Sequence, residues 1–106
     1  MATRTPPPLW RHGDVLVMQI EALPAGAGAL ATVVLARGEA TGHMHRIADP
    51  KTARLFEHGA ERFLEVTAAS AQLVHEEHAA LTLPRGVYRY WQQREYAPAG
   101  LRTVAD

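Results

Sequence analysis

The stretch Asp14-Val15-Leu16-Val17-Met18-Gln19-Ile20-Glu21-Ala22-Leu23, closed by Pro24, sets the fold class. It is short, carries β-branched Val15, Val17 and Ile20, and stops at a proline, which suits a strand rather than a helix. Residues 24–29 alternate alanine and glycine after the proline and turn the chain, and Leu30 to Ala36 reads as a second strand. Strand-length pieces follow at His43 to Ile47, Ala53 to Glu57, Arg62 to Thr67, Ala71 to Val74, Ala80 to Leu83 and Val87 to Glu95. Turns are read at Ala48-Asp49-Pro50-Lys51, at His58-Gly59 and, most sharply, at Pro84-Arg85-Gly86. Ala60 to Gln72 can be drawn as a helix, but Val66, Thr67 and Ser70 weigh against it. Short strands at hairpin spacing, without a long 3.6-residue pattern, predict an all-β fold, a small antiparallel β-barrel or sandwich.

The 106 residues fit one domain, expected over residues 10–106 behind a flexible proline-rich tail at residues 1–9. Lysine plus arginine equals aspartate plus glutamate, 11 each, so no long-range field draws the chain to nucleic acid or anionic lipid. No apolar stretch reaches membrane-spanning length, and Pro6-Pro7-Pro8 stands where a signal peptide needs its apolar segment, so a soluble, cytoplasmic protein is expected. Cysteine is absent, which removes disulfides, thiolate sites and thiol nucleophiles and leaves histidine and carboxylates as the available ligands.

Four of the six histidines fall into two clusters, Gly42-His43-Met44-His45 and His75-Glu76-Glu77-His78. On a strand His43 and His45 share a face, roughly 7 Å apart, and can converge on one ion. The expected metal ligands are His43, His45 and a third donor, His78 or His75, with Glu77 or Glu76 as a fourth ligand or as an acceptor orienting an imidazole. His12, in Arg11-His12-Gly13-Asp14, reads as a loop residue, and His58 as part of a turn.

Other chemistries fit poorly. His75 and His78 are three apart, not the four that a zinc-protease helix needs. Gly26-Ala27-Gly28 lacks the third glycine of a dinucleotide loop, and Ser70, the sole serine, has no glycine elbow. Tyr88, Tyr90, Trp91 and Tyr96 concentrate aromatic surface on the last strand. They are expected to cover a barrel wall or a contact with a second copy, ahead of a ligand-pocket wall or a stacking platform for bases.

The run Gly38-Glu39-Ala40-Thr41-Gly42-His43-Met44-His45, followed by strands and by Leu83-Pro84-Arg85-Gly86, resembles the cupin superfamily over residues 38–93. The resemblance implies a small antiparallel barrel, with His43 and His45 as paired ligands of a divalent ion such as zinc, iron, manganese or nickel. Asp49 stands near the place of the family's glutamate ligand. The family's final histidine is missing, since Pro84-Arg85-Gly86-Val87-Tyr88 leads to Arg89, and His78 or His75 would substitute. Two functions are expected on this basis. The first is a cupin-like binding or accessory module for a small molecule or protein, with pairing into a homodimer; the second is a metal-dependent dioxygenase, isomerase or hydrolase using the same histidines.

Overall fold

The computed structural model describes residues 7–38, 40–97 and 100–103, the side chains only as far as residue 93. Among them the elements are strands: β1 (Leu9–His12), β2 (Val15–Ile20), β3 (Gly28–Ala29), β4 (Val34–Arg37), β5 (Met44–Ile47), β6 (Ala53–His58), β7 (Glu61–Val74), β8 (Leu81–Gln92), β9 (Arg94–Ala97) and β10 (Gly100–Thr103). No helix among the described residues is long and apolar enough to cross a membrane. Of the tail expected over residues 1–9, residues 1–6 lie outside the described residues, whereas Pro8 already accepts the Gln19 N–H (3.0 Å) and Leu9 opens β1.

One antiparallel sheet of eight strands runs β1-β2-β8-β7-β5-β4, with β6 on the first half of β7 and β3 on β6. β9 and β10 form a separate hairpin. The hairpins β1–β2 and β6–β7 close through two-residue loops, Gly13-Asp14 and Gly59-Ala60, each with positive φ at its leading glycine (60° and 61°). That placement matches the twist of the flanking strands without straining a side chain.

The expected barrel or sandwich is not formed, because the sheet is open. It ends on β1 at one side and on β4 and β3 at the other, and no ladder joins those edges among the described residues. The closing candidates are too short: β3 has two residues, β4 has four and is bulged, and β5 gives β7 only Arg46↔Val74 and Ile47↔Leu73. Closure requires a continuous staggered ladder around the ring, so the cupin barrel that the resemblance implied is overturned with it.

The expected break at Pro84-Arg85-Gly86 is also corrected. Leu81–Gln92 is one strand, and Glu61–Val74 is its long partner. Between Val66↔Gly86 and Ser70↔Pro84, β7 advances four residues against two on β8, so the ladder bulges and bends. Pro84 has no N–H to offer there, and Gly86 (φ 153°) lies so near Gln19 that a Cβ would stand 2.9 Å from Nε2. Both strands change inward parity across the bend: Leu64 and Val66 give way to Ala71 and Leu73 on β7, and Leu83 to Tyr88 and Tyr90 on β8. The sheet therefore curls around one core of Val15, Val17, Ile47, Leu55, Leu64, Val66, Leu73, Leu83, Tyr88 and Tyr90.

That core absorbs two of the four aromatic residues assigned to a barrel wall or a second copy. Tyr88 and Tyr90 are buried, Tyr88 donates to the Pro84 carbonyl, and Trp10 packs edge-on against Tyr88 with centroids 5.6 Å apart. Arg89 lies over the half-buried Trp91 ring at 5.2 Å, and the side chain of Tyr96 lies outside those described.

Candidate metal centre

The curl brings β1 towards β5, and the seam between these strands is lined with histidine. His45, on β5, is fully buried; one position beyond the last β5–β7 pair, Arg46↔Val74, its ring lies 4.4 Å from that of His75. His78 follows in the β7–β8 connection, 4.5 Å from the His75 ring and 5.8 Å from that of His45. The ligand atoms of His45, His75 and His78 all lie within 4.8 Å of one another. Such spacing is consistent with coordination of a divalent ion after modest side-chain movement.

His78 Nε2 is buried and has no hydrogen-bond partner. A buried imidazole nitrogen without a partner loses the full cost of its desolvation unless something else satisfies it. The backbone makes room for this atom: Gly13 approaches so closely that a Cβ there would sit 2.5 Å from His78 Nε2 and 3.0 Å from His45 Cε1. A cation is one group that can satisfy such an atom.

A second trio lies outside the first and shares His75 with it. His43, half-buried, and exposed Glu76 place their ligand atoms within 4.8 Å of His75 and of each other. The Met44 backbone N–H donates to Glu76 Oε1 (3.0 Å) and, with Glu76's own N–H, holds that carboxyl below its ordinary value. Glu77 falls in neither trio; its Oε1 lies 3.1 Å from His43 Nδ1 at the rim. The adjoining hollow, lined by Met44, Arg46, Val74, His75 and Glu76, holds ≈ 130 Å³. Small-molecule pockets usually span about 300–1,000 Å³, so this one admits an ion and water rather than a sizeable substrate.

Two residues that sequence reasoning left aside belong to the cluster. His12 is on β1, 4 % exposed, with Nδ1 2.9 Å from His45 Nδ1 and Nε2 3.0 Å from the Ala79 carbonyl. Burial, foremost, lowers its pKa from 6.5 to about 4; nearby His45, His78 and His75 add to this, and the Ala79 carbonyl opposes it. Asp14, 2 % exposed, holds His45 Nε2 through Oδ1 (3.1 Å) and accepts from Gln92 Nε2 at Oδ2 (2.6 Å). A signal for His12 was present, since Trp10 and His12 alternate with Leu9 and Arg11 as strand residues do. His58 ends β6, exposed and apart from the cluster.

The family model described as "Domain of unknown function (DUF8820)" matches residues 11–93. The chain belongs to this family. The matched span takes in His12, Asp14, both histidine clusters and Gln92, so the whole seam lies within the family domain. Neither curated proteins nor solved structures gave a match.

Proposed function

We propose that this domain binds one divalent transition-metal ion in the histidine seam, with His45 and His78 at the centre of the site and His75 beside them. The observation that carries the reading is the unpartnered, buried His78 Nε2 next to two other imidazoles. Donors from β5 and from the β7–β8 connection would reinforce the short β5–β7 ladder, which has only the pairs Arg46↔Val74 and Ile47↔Leu73, so the ion serves as a clasp. Its role is to set the curl of the domain and, through it, the surface the domain presents to a small-molecule or protein partner.

His43, Glu76 and Glu77 belong to the entrance. An ion arriving from solvent meets His43, His75 and Glu76 first, and His75 is common to both trios. Imidazole suits zinc, nickel and iron(II), whereas manganese prefers oxygen donors, so the inner trio favours the first three. The site needs no second copy of the chain, because all its donors come from one.

Calorimetric titration of the purified full chain with zinc(II) and nickel(II) tests the reading. One ion per chain is expected, with loading lost in His45→Ala and His78→Ala. A wild-type chain that takes up neither ion overturns it.

A further inference from the structure

The hydrogen bonds around His12 and His45 determine where their lone pairs point. The Ala79 carbonyl can only accept, so His12 Nε2 carries a proton and donates to it. The Asp14 carboxylate, itself held by Gln92, likewise takes the proton on His45 Nε2. Both outer nitrogens are thereby committed as donors, and both Nδ1 atoms are turned inward, 2.9 Å apart. Two facing lone pairs repel at that distance, and a cation between them relieves the repulsion. The bond from Asp14 to the far nitrogen of His45 is also the arrangement by which a carboxylate fixes the tautomer of a metal-bound histidine.

His75 is prepared differently. Its Nδ1 accepts the Glu77 backbone N–H at 3.0 Å, which places the proton of the neutral ring on Nε2. Neither nitrogen can coordinate until that bond or that proton is exchanged. Spacing selects His75, whereas the hydrogen bonds select His12.

We infer that His12 is a ligand of the ion through Nδ1, paired with His45 Nδ1, and that His78 moves its Nε2 in to complete an all-imidazole core joining β1 to β5 and to the β7–β8 connection. The inference rests on the metal-binding reading above and adds to it a donor from the far edge of the sheet. A tetrahedral ion with metal–nitrogen bonds of about 2.0–2.1 Å separates its nitrogens by about 3.3 Å. Loading therefore opens the His12–His45 pair, now at 2.9 Å, by about half an ångström.

The test is nitrogen-15 NMR of the histidine rings of the intact wild-type chain, before and after one equivalent of zinc(II). Coordination shifts at His12 Nδ1 and His45 Nδ1, with both Nε2 atoms still protonated, are the expected result. A chain that binds zinc(II) while the His12 resonances keep their metal-free pattern overturns the assignment of His12 and leaves the metal-binding reading standing. A chain that binds no zinc(II) overturns both. As a second measurement, loss of an orienting partner alone weakens a site about 10–100-fold. His12→Gln should therefore weaken zinc(II) binding by at least about 100-fold, and His75→Gln by less. Equal affinity in wild type and His12→Gln, with the variant shown folded by circular dichroism, contradicts the proposal.

Discussion

At the scale of single residues, Gly13 carries two duties. It supplies the positive φ of the β1–β2 loop, and its missing side chain leaves the space into which His78 Nε2 and His45 Cε1 reach. Gly13→Ala is expected to destabilise the chain by about 1–3 kcal/mol, through overpacking and an unfavourable loop conformation. It should also displace His78, which urea denaturation and zinc(II) titration of the variant would show together. His12 gives a pH dependence with a definite sign. Its folded pKa, about 4, lies below its ordinary 6.5, so between those values the unfolded chain takes up a proton that the folded chain refuses. The stability contributed by neutral His12 is complete above pH 6.5 and is lost as the pH falls towards about 4. Urea midpoints measured in chelator at several values across that window should fall with pH, and should fall less in His12→Gln. A profile as steep in the variant as in the wild type would remove His12 as the cause.

At the scale of elements, the strands owe their positions to paired apolar residues on either side of a bend. Leu64 faces Tyr88 on one side and Ala71 faces Leu83 on the other, all buried. Leu64→Ala is expected to cost about 2–5 kcal/mol, read as a lowered thermal midpoint, because among the described residues the curled sheet has no second layer to collapse into the cavity. Most of these elements were legible in the sequence. The strand read over Asp14 to Leu23 announces itself by β-branched Val15, Val17 and Ile20, and the one read over Ala53 to Glu57 by the turns at Asp49-Pro50 and His58-Gly59 on either side; the observed strands are Val15–Ile20 and Ala53–His58. Pro84-Arg85-Gly86 was misleading, since the residues that end a strand in one context kink it in another, and only the register with β7 distinguishes the two cases. Closure was not legible either. Whether β4 reaches a neighbour depends on its length and on the bulge between Val34 and Ala36, neither of which follows from hydrophobic alternation. Of the site, the two histidine clusters were visible, but not that His43, which precedes β5, falls in a different trio from His45; the alternation that marks His12 as a strand residue was outweighed by Gly13 beside it, which reads as a loop.

At the scale of the whole molecule, an open sheet held at its seam by side chains should respond strongly to whatever occupies that seam. An ion at one hundred times its dissociation constant stabilises the folded state by about 2.7 kcal/mol, on the order of 10 °C in thermal midpoint for a domain this small. Scanning calorimetry with and without zinc(II) should show that rise, and hydrogen exchange should slow first in β1 and β5; a midpoint indifferent to the ion would argue against a clasp. The bend in β7 and β8 has a further consequence, for tolerance to changes in length. Removing one residue from Thr67-Ala68-Ala69 would turn the chain beyond it inside out, exposing Ala71 and Leu73 and swinging His75 away from His45. Lineages of this domain should therefore accept insertions and deletions between hairpins yet keep that segment at constant length, even where its side chains drift.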